Sequence, residues 1–327
     1  IYKVKLKNIL FTSSAICCLF LPAIAEVDSD ILKITVTGTR TKRNVDDIPA
    51  SITIIDLENS RQNGTSELKE LIRYEPNISV YDPREINYRS RGNTRGSTSS
   101  GNLNIRGLNK NRVLMQRDGI RLPSGFYAVG YDYSNGNVIN YCSLSTVDIL
   151  KGPASVLYGS DALGGVISFN SIEAEDLLKN NESFKIEIPF DFNGSNQGIK
   201  SSFRIVGKSE EIGLSIAANL CTNQSKEVKP NSAEDKYIND ADIKSDSIYL
   251  NVGKRLNEKN KIRFLIDKFK KNKKGKRAEG NLAGNYLSQK SAVETKKDRY
   301  AFKWDYESLD KDSLLKSLKA KTYYQNL

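Results

Sequence analysis

Between residues 184 and 324 apolar side chains recur at every second position. Phe184, Ile186, Ile188, Phe190 and Phe192 form one run, and Ile212, Leu214, Ile216, Ala218 and Leu220 a second. Ile248, Leu250 and Val252, then Ile262, Phe264 and Ile266, then Tyr300, Phe302, Trp304 and Tyr306, and last Leu318, Ala320 and Tyr324 continue the series. A period of two puts successive side chains on opposite faces of a strand, so the series predicts about seven β-strands with one apolar face each. The intervals are sorted by length: KSEE, NEKN and SLDKDS are short, whereas residues 221–246 and 270–298 are long and charged. An outer-membrane barrel has short turns on one side and long loops on the other. A soluble β-sandwich also alternates, but has no reason to sort its loops in register.

Ahead of this, from Glu26 to about Ser171, the pattern is mixed and predicts a small α+β unit. In TSELKELIRYEP, Thr65 or Ser66 can cap a helix, Glu67 and Glu70 favour its positive end, Leu68, Leu71 and Ile72 share a face, and Pro76 stops it. In RVLMQRDGIRL, Asp118-Gly119 between two apolar segments predicts a tight hairpin. The stretch KGPASVLYGSDALGG, residues 151–165, joins two apolar runs with four glycines, Gly152, Gly159, Gly164 and Gly165. These permit positive φ and close backbone approach, and Pro153 can open the short turn that Gly159 closes. The stretch lacks the Gly-Lys-Ser/Thr ending of a phosphate-binding loop. It reads as a structural turn.

The first residues carry Lys3, Lys5 and Lys7, then an apolar run from Ile9 to Leu21, then Ala23-Ile24-Ala25. That is the layout of a secretory signal peptide ending at Ala25, and the run is short for a bilayer span of about 20 residues. Export follows. Composition narrows the chemistry further. The chain has 327 residues and no histidine, so a Ser/His/Asp triad, a Cys/His pair and any His-ligated metal are impossible. No paired acid, base or nucleophile sits at useful spacing, and no enzyme activity or metal site is expected. Cys142 and Cys221 remain after export, too few and too far apart for a disulfide framework, and are read as incidental. The net charge of +11 suits anionic partners. Its densest part, KFKKNKKGKR at residues 268–277, reads as a solvated outer loop facing lipopolysaccharide, since no aromatic interleaving or helix-turn-helix supports nucleic-acid binding.

Three segments resemble, in order, the TonB-dependent outer-membrane receptors: DILKITVTGTR at residues 30–40 the TonB box, NLNIRGLNKNRVLMQRDGIRL at 102–122 the central plug segment, and VDILKGPASVLYGSDALGGVISF at 147–169 the end of the plug. DALGGVISFNSIEAEDLL is also similar to the haem and haemoglobin receptor branch. The resemblance implies an α+β plug domain followed by an antiparallel transmembrane β-barrel, incomplete here with about seven of about 22 strands. The expected organisation is a signal peptide at 1–25, TonB box and linker at 26–45, plug at 46–171 and the start of the barrel at 172–327. An open sheet in lipid leaves unpaired edges, so the chain is expected to be the N-terminal part of a longer receptor.

The implied function is energy-coupled import of an iron compound, with haem the expected ligand and a ferric siderophore the runner-up. A secreted basic binding protein or adhesin is the reading from another class. TonB, with its inner-membrane energising complex, is the expected partner, beside an iron-containing small molecule or haem-carrying protein and the lipid and lipopolysaccharide of a Gram-negative outer membrane. Lys33, Ile34, Thr35, Val36 and Thr37 form a β-prone segment able to add a strand to TonB, or else a first plug strand that stays in place. Phe126, Tyr127, Tyr131 and Tyr133 offer aromatic faces to a porphyrin and phenols to ferric iron, or pack on the wall. Arg89, Arg91 and Arg95 can meet propionates or an anionic siderophore, or salt-bridge the wall. The haem branch usually offers histidine to iron, and this chain has none.

Overall fold

The computed structural model describes residues 34–35, 43–44, 47–57, 71–72, 74–81, 102–124, 126–128, 131–133, 138–178, 181–194, 197–227, 240–280, 286–310 and 314–326. The expected signal peptide and most of the expected helix at 65–76 lie outside them. So do Lys33, Val36, Thr37, Arg89, Arg91 and Arg95.

The N-terminal strands are β1 (Ile34–Thr35), β2 (Arg43–Asn44), β3 (Ser51–Asp56), β4 (Ile78–Tyr81), β5 (Asn102–Ile105), β6 (Val113–Arg117), β7 (Ile120–Arg121), β8 (Phe126–Ala128), β9 (Tyr131–Tyr133), β10 (Leu144–Lys151) and β11 (Gly165–Ser171), with the one-turn helices α1 (Ser155–Tyr158) and α2 (Ala174–Leu177). Five of these strands form one mixed sheet in the order β3-β10-β11-β6-β7, in which β11 and β6 run parallel and the other neighbours antiparallel. The central strands β10 and β11 bury apolar side chains on both faces, as expected of strands covered on both sides, with Asp148, Ser168 and Asn170 hydrogen-bonded on one of them. Val147, Ile149, Ile167 and Phe169 face a core with Leu103, Ile105 and Met115, while Leu150 and Val166 face a second cluster with Leu114, Ala154 and Ala162. The Asp-Gly pair forms the β6–β7 hairpin, with φ of 52° at Asp118 and 70° at Gly119, the two positive values that a type I′ turn requires.

The C-terminal strands are β12 (Phe184–Glu187), β13 (Phe190–Asn193), β14 (Gly198–Ser209), β15 (Leu214–Glu227), β16 (Asp240–Asn257), β17 (Asn260–Gly280), β18 (Tyr286–Glu307) and β19 (Ser317–Asn326). From β14 to β19 each pairs antiparallel with the next, and β12 and β13 both pair with β14, so the wall is seven strands wide. Its burial is inverted relative to a soluble sheet. Phe203, Leu220, Ile248, Phe264 and Phe302 are exposed, whereas Arg204, Asn219, Asn251, Asp267, Lys297 and Arg299 are buried. The apolar face points away from the protein and the polar face toward the N-terminal unit. At the contact, Ile120, Ile172, Ala174 and Leu177 meet Val206, Ala217, Tyr249, Leu265 and Ala301.

Three expectations are corrected. Residues 221–246 and 270–298 are not mainly loops: β15 to β18 extend into them and take up 221–227, 240–246, 270–280 and 286–298. Residues 268–277 accordingly lie in β17, not in a loop, and pair with β16 and β18. A polar strand beyond the apolar belt carries no hydrophobic alternation, but its backbone groups are paired by its neighbours. The run from 184 to 192 is split at Pro189, and β14 is absent from the predicted series because its apolar residues are diluted by Ser201, Ser202 and charged positions. The third correction concerns the cysteines. Cys142 and Cys221 are joined in a disulfide with a Cα–Cα distance of 6.3 Å, since the fold brings the turn before β10 against β15.

Candidate functional site

The β6–β7 turn places Arg117 and Asp118 at the edge of the N-terminal sheet that faces the wall. Arg117 donates from Nε to Ser171 Oγ at 2.9 Å and from Nη2 to Ser143 Oγ at 2.6 Å. Its Nη1 lies 2.8 Å from Asp267 Oδ2 of β17, within ion-pair distance but without hydrogen-bond alignment. Asp118 accepts the Ser171 N–H and Oγ–H, both at 2.8 Å, and from the wall it accepts Arg299 Nη2 at 2.7 Å. Lys297 Nζ is 2.8 Å from the same Asp267 oxygen and donates to the Val138 carbonyl at 2.9 Å. Two carboxylates are thus held among three cations, Arg117, Lys297 and Arg299, in side chains almost wholly removed from solvent.

Burial opposes the ionised form of Asp118. The cations Lys303, Arg299 and Arg117 and the Ser171 N–H outweigh that opposition, and hold its carboxyl far below the ordinary carboxylate range.

Further polar contacts tie the same side of the N-terminal unit to the wall. Asn219 donates to the Cys142 carbonyl at 2.6 Å, Tyr249 and Asn251 donate to the Ile172 carbonyl at 2.9 and 3.2 Å, and Lys321 donates to the Asp118 carbonyl at 2.6 Å. Such a contact differs from an apolar core in one respect that matters for function. Each of its polar groups can exchange its partner for water, whereas the apolar cluster beside them, Ile120, Ile172, Ala174 and Leu177 against the wall, adds a hydrophobic cost to opening.

The residues singled out in the sequence fall in separate places. Ile34 and Thr35 form β1, which pairs with β2 in a small sheet of its own, Ile34 opposite Asn44 and Thr35 opposite Arg43. Phe126, Tyr127, Tyr131 and Tyr133 are brought together on the β8–β9 hairpin, with Phe126 opposite Tyr133 and Tyr127 opposite Asp132. In the glycine-rich stretch, Gly152 follows β10, Pro153 precedes α1, Gly159 closes it by donating to the Ser155 carbonyl at 2.8 Å, and Gly164 and Gly165 open β11. The plug–wall ion network was not anticipated. Arg117 and Asp118 were visible only as the flank and corner of a turn. Asp267, Lys297 and Arg299 occupy the inward positions between the apolar residues that defined the strands, and that alternation was the signal available for them.

Residues 44–166 match the TonB-dependent Receptor Plug Domain. The chain is 32% identical over 172 residues to lactoferrin-binding protein A of Neisseria meningitidis serogroup B, covering 50% of this chain and 17% of that protein. It is 27% identical over 150 residues to the hemin receptor of Yersinia enterocolitica, covering 46% and 19%. Among solved structures it resembles the ferripyoverdine receptor of the outer membrane of Pseudomonas aeruginosa, with a TM-score of 0.62 at 19% identity, over 84% of this chain and 34% of that one. The chain therefore spans less than a fifth of the length of these two relatives and about a third of the solved receptor.

Proposed function

We propose, from the match of residues 44–166 to the TonB-dependent Receptor Plug Domain and the likeness of the whole fold to a solved outer-membrane receptor, that the chain belongs to a Gram-negative outer-membrane receptor that imports an iron compound. The observation that carries the reading is the inverted wall: a plug sheet docks on the polar face of an antiparallel sheet whose other face is apolar. Transport, not catalysis, is the activity. The plug blocks the lumen, ligand collects above it, and TonB, driven by its inner-membrane complex, pulls on the segment around residues 33–37 to open a path. A soluble adhesin gives no account of exposed Phe203, Leu220, Ile248 and Phe302 on one continuous face.

Within this reading haem is the ligand to test first, and a ferric siderophore second. Aromatic residues gather on the β8–β9 hairpin, and the relatives include a hemin receptor. Without histidine in this part of the receptor, iron ligation here falls to tyrosine or to residues outside this chain. The long basic β17 favours contact between its upper end and anionic lipopolysaccharide. The test is growth of an iron-starved strain relying on the complete receptor, supplied with haem, siderophore or an iron-loaded host protein, with and without TonB. TonB-dependent growth on at least one source is expected; growth on siderophore and not on haem would replace the haem assignment, and growth independent of TonB would overturn the transport reading.

A further inference from the structure

We infer that the Cys142–Cys221 disulfide staples the C-terminal half of the plug to the barrel wall, so that the import path opens by withdrawal of the plug's N-terminal part and not by release of the plug as a body. This rests on the transport reading for the word import, but the staple itself is a property of the fold. Cys142 lies in the short 3₁₀ turn at residues 141–143 that leads directly into β10, the strand between β3 and β11. Cys221 lies on β15, with its neighbours in the ladder on both sides. Both are buried, each 7% exposed.

The plug is therefore held covalently twice. The peptide chain ties it to the wall after β11, through α2 and into β12, and the disulfide ties it again ahead of β10. Everything between, including β10, α1 and β11, sits inside a closed covalent loop whose ends are 79 residues apart in sequence. Besides those on the β6–β7 turn, hydrogen bonds from the wall reach both ends of the β10–β11 segment: Asn219 and Lys297 on the Cys142 and Val138 carbonyls ahead of β10, and Tyr249 and Asn251 on the Ile172 carbonyl after β11. β3 stands outside the covalent loop, at the sheet's edge, with β10 as its ladder partner, its end residues Ser51 and Asp56 exposed and the four between them partly buried. Disulfides form and persist beyond the cytoplasm, where an exported receptor resides. Closing a covalent loop lowers the entropy of any state in which β10 and β11 leave the wall, and does nothing to hold β3.

The test uses the complete receptor in outer-membrane vesicles. Non-reducing peptide mapping should find residues 142 and 221 linked, and hydrogen exchange in mild denaturant should show β3 opening well before residues 144–171. In Cys142→Ser/Cys221→Ser, protection of 144–171 should fall at least about tenfold while β3 changes little. Mild reduction of the parent gives a second route to the same state, and heat-modifiable migration on gels verifies that the barrel is intact in each sample. The oxidised parent should also import haem or a ferric siderophore, each supplied in turn. Free thiols at both positions, joint opening of β3 and 144–171 in the parent, unchanged protection in the double variant, or import that begins only on reduction would each overturn the proposal. If the exchange pattern is as expected but no iron compound is imported under any condition, the staple stands and the transport reading fails.

Discussion

Asp118 does two jobs that pull on different parts of its chemistry. Its backbone, with Gly119, makes the turn, and Asn would serve there equally well because it tolerates the same left-handed conformation. Its charge anchors Arg299. Asp118→Asn should therefore keep the hairpin and weaken docking by about 3 kcal/mol, the lower end for a broken buried pair, because Asp267 stays 3.6 Å from Arg299 Nε. Denaturant unfolding of the receptor would measure this. The pH dependence has a definite sign. The folded carboxyl is more acidic than the unfolded one, so below about pH 4 the unfolded chain binds the extra proton and stability falls with falling pH; above about pH 5 this contribution is complete. Thermal melts from pH 7 to 3 should show that slope in the parent and a shallower one in Asp118→Asn. At the glycine-rich joint, a Cβ on Gly165 would lie 2.2 Å from the Leu150 carbonyl oxygen at a φ of 153°, whereas Gly159, at 88°, has nothing within 4 Å. Gly159→Ala should cost about 1–2 kcal/mol from its backbone alone, and Gly165→Ala clearly more, since the β10–β11 ladder must shift; melting temperatures of the two variants decide it.

At the scale of elements, what could be read in the sequence followed the hydrophobic signal. The apolar alternation of β15 to β18 marks the belt of the wall, and the Asp-Gly hairpin is a local signal that tertiary structure left alone. The ends of those strands were not legible, because above the belt both faces are polar and only backbone pairing continues, as in residues 268–277. β14 was missed for a related reason: its outward Ile199, Phe203 and Ile205 alternate with Lys200, Ser202 and Arg204, and Gly198 and Gly207 thin the pattern at both ends. The disulfide and the ion network join residues 79 and more than 140 positions apart, and no local period encodes such a meeting. The β1 segment carries a prediction of its own. If residues 33–37 add a strand to TonB, Val36→Pro removes a backbone donor and restricts φ. Energised uptake by the complete receptor should fall to the level of a strain lacking TonB, with surface binding of ligand unchanged, as measured by radiolabelled ligand at low temperature and then with energy restored.

For the molecule as a whole the decisive property is which way its apolar surface points. In water, a charge placed on an exposed face is nearly neutral for stability, and in a bilayer it is not. Phe203 is 41% exposed on the outer face of β14. Phe203→Arg should destabilise the complete receptor in bilayers by about 2–4 kcal/mol if that face lies near the membrane midplane, and less toward the interface. Arg at the same position of a soluble sandwich would cost little and improve solubility. Unfolding titrations in vesicles therefore separate the two folds with one substitution.

The register between β3 and β10 gives the staple a mechanical meaning. Ser51 stands opposite Lys151 and Asp56 opposite Thr146, so the end of β3 nearest the N-terminus is the end of the ladder farthest from Cys142. Tension arriving from the N-terminal side enters the ladder at one end and is resisted through the disulfide at the other. That is loading in shear, in which the paired residues share the force and yield together, instead of the one-by-one parting of a zip. A weak or brief tug then does nothing, and a sufficient one frees β3 in a single step: the plug would behave as a latch with a threshold.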